Sequence, residues 1–340
     1  MRKLLNTLYV TTPESYLSKD GLNVVVSVNQ EERFRIPIMN VEEIVTFGYM
    51  GASPGVMKLC EENNVSLSFL SPQGRFICRI QGPTKGNVLL RKKQYAMSED
   101  VDFSLHMAKL FVVGKIFNTR GVLQRYVRDN GRDDEVEGVI RQLEWRKKCV
   151  MNVEDMDTLR GEEGLAANSY FGVFNHLILH QKEDFPFNGR NRRPPKDEVN
   201  AMLSFVYTLI ANDVAAALES VGLDPYVGFM HTIRPGRTSL ALDMMEEFRA
   251  YLGDRLVLSL INRKQVSKSD FVRQGDDSFV MSDDCRKTIL TMWQQRKKES
   301  IEHPFLKESI PIGLLPFVQA MLLARFLRGD LDDYPVFFMR

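Results

Sequence analysis

The chain has 340 residues, with 45 Lys and Arg against 44 Asp and Glu, for a formal net charge of +1. Hydrophobic residues make up 44% and charged residues 26%, a globular composition that excludes wholesale disorder, collagen-like repeats and a disulfide miniprotein. Length predicts about two domains at roughly 150 residues each, and the balanced charge means that a polyanion would have to be met by local basic patches.

The basic start MRKLLNTLYV is broken by Asn6 and Thr7 and has no small-residue cleavage site after it, so no signal peptide is expected. No apolar run reaches the roughly 20 residues of a membrane span, and no membrane partner is expected. Cys60, Cys78, Cys149 and Cys285 are scattered without a CxxC pair, which fits a reducing cytoplasm and argues against structural zinc. The first 80 residues read as short strands: 22–28 after the turn pair Asp20-Gly21, then 34–38, 41–47, 65–70 and 75–80, the last two joined by a turn at Ser71-Pro72-Gln73-Gly74. One short helix fits 54–63, with Ser53 as N-cap and Pro54 at its first position.

After GPTKGN (82–87) the apolar period moves to about 3.6 residues. Helices are predicted over 105–127, weakened by Gly114, over 135–150, and over 153–180 with acids in its first turn. A loop rich in Pro, Gly and Arg (185–197) precedes helices at 198–222 and 239–256, and the last 60 residues read as helical too. The expected fold is α+β in two domains: a small, mostly β domain at 1–84, a linker at 85–100 and a larger all-α domain at 101–340.

GYMGASPG (48–55) has G-x-x-G-x-x-x-G spacing, not G-x-G-x-x-G, and no βαβ alternation follows, so it reads as a strand-to-helix turn. His176 and His180 are four apart on a predicted helix and could share a metal, but the glutamate of HExxH is missing; they read as helix-face histidines. Glu163 lies among Gly161, Gly164, Ala166 and Ala167, where another backbone or a ligand can approach, and Tyr170 falls on its face; Glu162 points away and reads as solvated. His231 ends the irregular stretch GLDPYVGFMH. Asp243, Glu246 and Glu247 cluster in SLALDMMEEFR. Each of these acids taken alone is ordinarily a solvated charge, and His231 a packed or surface histidine. One His with two or three carboxylates suits Mg²⁺ or Mn²⁺ with open positions, a cation able to polarise a phosphoryl oxygen. Most basic runs are solvated faces, but Arg190, Arg192 and Arg193, and Arg234 with Arg237, flank the acid-bearing helices, and Arg favours bidentate phosphate contacts.

These segments together are similar to a known family, nearly end to end. IPIMNVEEIVTFG, LSFLSPQGRF and GPTKGNVLLRKKQY in the β part, and LRGEEGLAANSYF, RNRRPPKDEVNAMLSFVY, GLDPYVGFMH and RTSLALDMMEEFR in the helical part, resemble the CRISPR-associated endonuclease/integrase, the larger of two near-universal spacer-acquisition proteins, most of all its type I-C version. The resemblance implies a β-sandwich N-terminal domain, a helical catalytic domain, and metal ligands and catalytic residues at Glu163, His231 and Glu246, with Asp243 auxiliary; Glu246 stands where relatives often have Asp. It implies contacts of Tyr170, Arg190, Arg192, Arg193, Arg234 and Arg237 to double-stranded DNA, both a protospacer fragment and the CRISPR leader–repeat. It implies a homodimer, a small ferredoxin-like partner protein, a prokaryotic cytoplasmic location, and insertion of spacers by attack of a 3′-hydroxyl on a phosphodiester with Mg²⁺ or Mn²⁺. A non-catalytic DNA-binding scaffold of the same fold, and a metalloenzyme built on His176 and His180, are the alternatives.

Overall fold

The structure is a computed structural model that describes residues 7–48, 50–72, 76–80, 88–192, 194–275 and 277–339. The chain forms two compact units, one of residues 1–86, 281–300 and 311–314, the other of 87–280, 301–310 and 315–340. The N-terminal unit is therefore not confined to 1–84, as the sequence suggested.

In the first unit, strands β1 (Thr7–Val10), β2 (Ser15–Asp20), β3 (Asn23–Val28), β4 (Glu31–Pro37) and β5 (Glu43–Phe47) precede helix α1 (Pro54–Glu62) and strands β6 (Ser66–Leu70) and β7 (Phe76–Ile80). The Asp20-Gly21 signal closes the β2–β3 hairpin, with Asp20 opposite Asn23 and Gly21 at φ +57°, the left-handed conformation such a turn requires. β2, β3 and β4 form an antiparallel sheet, while a second sheet runs β1-β5-β6-β7. β5 lies between parallel neighbours and is buried along its whole length, which is why EIVTF shows no apolar alternation. Leu17, Val24, Ile44, Val56, Leu59 and Leu67 share one core, so both sheets and α1 bury their apolar faces together. Ser53 caps α1 through Val56 N–H, as its sequence indicates. The expected turn residues Gln73 and Gly74, and the 82–87 segment, lie outside the described residues. The returning segment contributes helix α9 (Asp283–Lys298), which buries Ile289, Leu290 and Trp293 and donates from Gln294 Nε2 to Thr7 O at 3.0 Å.

The second unit is mainly helical. The expected linker is instead helix α2 (Val88–Glu99), which buries Leu90 and Gln94. Next come α3 (Val101–Asn130), α4 (Asp134–Met151), α5 (Met156–Gly172), α6 (Glu198–Ser220), α7 (Ser239–Met245) and α8 (Arg255–Asn262), with α10 (Leu315–Arg328) near the end. Asp100, Asp133, Asp155 and Asp197 cap α3, α4, α5 and α6 with side-chain carboxylates. By length and composition α6 could cross a membrane, but 72% of its most apolar window is buried within the fold, so it serves as a core helix. Gly114 of α3 has a packing role: a Cβ there would lie 2.5 Å from Val336 Cγ1. The closely packed tail is held by Asn118, which donates to Phe337 O at 2.8 Å and accepts from Met339 N–H at 2.7 Å.

Two expected helices are interrupted. The helix predicted over 153–180 ends at Gly172 and passes into a 3₁₀ turn at Phe174–Leu177, because the Asn175 amide is bound on both sides to the Phe187 backbone. The one predicted over 239–256 breaks after Met245 and continues as a π-helical turn, Arg249–Asp254. The second unit is not all-α, since Phe271–Arg273 and Phe279–Met281 are strands, with Gln274 N–H donating to Ser278 O between them.

His303, fully buried, fixes its own protonation state. Its Nε2 meets Gln319 Oε1 at 3.1 Å and so carries the proton, while Nδ1 accepts from Leu306 N–H at 3.2 Å. Protonating Nδ1 would set two donors against each other. Burial also lowers the His303 pKa, only partly offset by Gln319. A histidine whose folded pKa is depressed stabilises the fold above its unfolded value, and that contribution is lost as pH falls through the folded one. Urea unfolding should therefore show stability falling from about pH 7 to pH 5, and His303→Gln should reduce the slope; an equal slope in the variant would assign the titration elsewhere.

Candidate functional site

Within the helical unit, His231 is presented by a loop that two buried polar side chains hold along its length. From α2, Gln94 Nε2 donates to Asp224 O and Val227 O, both at 2.8 Å, and Gln94 Oε1 accepts from Asp224 N–H at 2.9 Å. From α7, Asp243 has no exposed surface and its carboxylate accepts the backbone N–H groups of Phe229, Met230 and His231 at 2.7, 3.0 and 2.9 Å. Gly228 makes this approach possible: a Cβ there would stand 2.5 Å from Asp243 Oδ2 and 2.8 Å from Leu240 N. Asp243 Oδ1 also lies 2.7 Å from His231 Nδ1. A carboxylate acceptor fixes Nδ1 as the protonated nitrogen of the neutral ring and leaves Nε2 as the lone-pair donor, the arrangement found behind metal-binding histidines.

The acids come from α5 and from the turn after α7. Lys115 on α3 stands between them, its ammonium paired with Glu163 Oε1 and, at 2.9 Å, with Glu246 Oε2. Glu246 Oε1 accepts from Arg249 Nη1 at 2.6 Å. The Glu246 side chain is only 5% exposed, against 23% for Glu163 and 12% for Lys115. Burial pushes the Glu246 carboxyl up, but the Arg249 guanidinium and the Lys115 ammonium outweigh it and hold it at about 2, with His231 adding to the effect. Glu246 is thus a buried anion, with Lys115 Nζ 2.9 Å from its Oε2 and Arg249 on its Oε1.

Arg249 is itself clamped. Its guanidinium lies 4.4 Å from the Tyr207 ring centroid, and the Tyr207 and Tyr170 hydroxyls both donate to buried Asp254. Burial raises the Asp254 pKa against the pull of the Tyr207 hydrogen bond. Arg249 and Asp254 bound the π-helical turn, and such turns recur where a helix must present a functional side chain. A small crevice lined by Lys115, Ala166, Ala167, Phe171 and Arg249 adjoins the acids.

A divalent cation suits these donors by chemistry: two carboxylates already drawn to one cation, and an imidazole nitrogen with its tautomer fixed. Among the described residues, however, no three His, Cys, Asp or Glu side chains already stand close enough to share an ion. The group between Glu163 and Glu246 is the Lys115 ammonium.

Several expectations are corrected. Tyr170 is 2% exposed and its hydroxyl is committed to Asp254, so it cannot touch DNA. Arg190 holds the 185–197 loop from inside, bonded to Asn200 Oδ1 and Ser204 Oγ at 2.7 and 3.1 Å and stacked on Tyr207. Glu162 is not a solvated charge; it pairs with the largely buried Arg146 at 2.9 Å. His176 sits in the 3₁₀ turn against Asp133 and Glu135, and His180 lies beyond that turn, so they share no helix face. Arg192 and Arg234 are exposed and Arg237 is half-buried, while Arg193 lies outside the described residues. Lys115, Arg249, Gln94 and Gly228 were missed. Only Lys115 gave a signal, as a lone cation inside the apolar run LFVVGKIF of a predicted helix.

The profile of "CRISPR associated protein Cas1" matches residues 8–295. The chain is 50% identical over 343 residues to the CRISPR-associated endonuclease Cas1 1 of Chlorobaculum tepidum, with 100% of each covered. Its fold matches a casposase bound to integration product with a TM-score of 0.85 at 22% identity, over 98% of this chain and 93% of that one. A chain of a Cas6-RT-Cas1–Cas2 complex gives 0.85 at 21% identity, over 100% of this chain and 37% of that one. The last two likenesses concern the fold. The profile and the full-length relative establish the family, and the chain belongs to the Cas1 family of CRISPR-associated endonucleases.

Proposed function

We propose that this chain is a divalent-metal-dependent integrase that joins the 3′-hydroxyl of a DNA fragment to a phosphodiester at the leader–repeat boundary of a CRISPR array. The observation that carries this reading is the buried, ionised Glu246, which shares the Lys115 ammonium with Glu163 from another element and feels the charge of His231.

Glu163, Glu246 and His231 Nε2 would hold the Mg²⁺ or Mn²⁺ ion, which when bound neutralises charge on the scissile phosphate. Arg249 keeps Glu246 ionised and in place, and Asp243 holds the proton of the neutral ring on Nδ1, which makes Nε2 the nitrogen available to an ion. Arg192, Arg234 and Arg237, which flank the acid-bearing segments in the sequence, would grip DNA phosphates without reading sequence. Water in place of the hydroxyl would give nuclease activity. A homodimer assembled with a small ferredoxin-like partner would present paired sites to the two ends of a fragment, a reading in keeping with the Cas1–Cas2 complex among the fold's relatives.

The test combines the protein, its small partner, a duplex fragment with 3′-hydroxyl ends and a supercoiled array plasmid. Joined products are expected with Mn²⁺ and none with EDTA or with 3′-blocked ends. Joining that survives both controls would refute the mechanism.

A further inference from the structure

Among the described residues Lys115 is the one cation paired with both acids, and its environment leaves it little freedom. It projects from α3 next to Gly114, where the tail packs against the helix backbone. Its side chain is 12% exposed, and its ammonium meets Glu163 and Glu246 together. Those carboxylates come from different elements, α5 and the turn after α7, and would repel each other if nothing lay between them. Glu246 keeps a second cation, Arg249, on its other oxygen at 2.6 Å, so Lys115 is not its sole partner. The ammonium therefore occupies the place, and supplies the charge, that a shared metal ion would take.

We propose that Lys115 is a built-in placeholder: it holds the Glu163 and Glu246 carboxylates together in the metal-free protein and must withdraw when the ion binds, so that it sets the metal affinity from below. Lysine suits this role better than arginine, since it is a compact point charge on a flexible four-carbon stem that can swing away. An ammonium and a divalent cation cannot both lie between the same oxygens. Part of the metal's binding free energy therefore goes into displacing Lys115, and removing the lysine returns that part as tighter binding. The proposal rests on the assignment of Glu163 and Glu246 as ligands.

The experiment is a calorimetric Mn²⁺ titration at constant pH and ionic strength of the wild-type protein, Lys115→Met, Glu163→Gln and Glu246→Gln, with melting temperatures in EDTA and in saturating Mn²⁺. Lys115→Met should bind Mn²⁺ more tightly by roughly tenfold or more, melt lower than wild type in EDTA, and gain more from Mn²⁺. Equal or weaker binding by Lys115→Met, while the two glutamine variants bind weakly, overturns the placeholder role and leaves the metal site standing. Unchanged binding by the two glutamine variants overturns the site assignment, and the placeholder with it. Should Lys115→Met not fold in EDTA, Lys115→Gln carries the same expectation. Folding of either variant rescued by Mn²⁺ supports the proposal, and failure of both even with Mn²⁺ makes Lys115 a structural ion-pair partner only.

Discussion

Glu246→Gln should abolish metal-dependent joining, by at least about a thousandfold or roughly 4 kcal/mol of transition-state stabilisation, while the protein remains folded. Glutamine keeps the shape of the side chain and one oxygen to accept from Arg249, but it removes the charge that binds a cation. Glu246→Ala should behave differently. It strips the anion from between Lys115 and Arg249 and leaves a buried guanidinium stacked on Tyr207 without its partner at 2.6 Å. Breaking a buried ion pair from one side costs about 3–5 kcal/mol, so the alanine protein should unfold well below the wild type. The check is a paired measurement of joined product and urea midpoint for the two variants. An active Glu246→Gln would exclude Glu246 as a ligand, and an alanine variant as stable as the glutamine variant would show that Arg249 and Lys115 find other partners.

What could be read from the sequence was what depends on neighbours along the chain. The Asp20-Gly21 hairpin, the Ser53-Pro54 helix start and most strands of the first unit follow from local turn, capping and β-branched signals. The helical period after residue 88 is likewise local. What could not be read depends on contacts far apart in the chain. Residues 281–300 join the N-terminal unit because Ile289, Leu290 and Trp293 are buried there, and nothing within their own segment tells which core they enter. The breaks after Gly172 and Met245 are tertiary as well, the first set by Asn175 bound to Phe187 twelve residues on. At the site, the acids and His231 stood out by residue type, but type does not reveal partners. Arg190 and Tyr170 looked like ligands for DNA because both can bind it; that they spend those groups on Asn200, Ser204 and Asp254 is visible only in the fold. Lys115 stands out as a lone cation in an apolar run, but its role comes from two carboxylates 48 residues or more away in sequence and is visible only in the fold.

Asp243 and His231 should separate what builds the site from what occupies it. Asp243 accepts three backbone N–H groups and the His231 ring, all within 3.0 Å, from a position with no exposure. Asp243→Ala would leave those N–H groups buried and unpaired, at about 1–3 kcal/mol each, so a total loss of roughly 5 kcal/mol is expected and the loop from Gly222 to His231 should open. Asp243→Asn keeps the volume but offers one acceptor oxygen, and its amide turns a donor toward donors; an intermediate loss of about 2 kcal/mol follows. Asp243→Ala releases the His231 ring and Asp243→Asn removes the charge behind it, and loss of such an orienting carboxylate weakens metal binding about 10- to 100-fold. His231→Ala should do the reverse. Asp243 keeps its backbone partners, so stability should fall by no more than about 1 kcal/mol, while the nitrogen ligand is lost altogether. Urea unfolding and Mn²⁺ titration of the three proteins decide the matter: the order of stability should be His231→Ala, then Asp243→Asn, then Asp243→Ala, and metal binding should be weakened in all three. If Asp243→Asn bound Mn²⁺ as tightly as wild type, the carboxylate would not orient a ligand. If His231→Ala bound it as tightly, Nε2 would not be one.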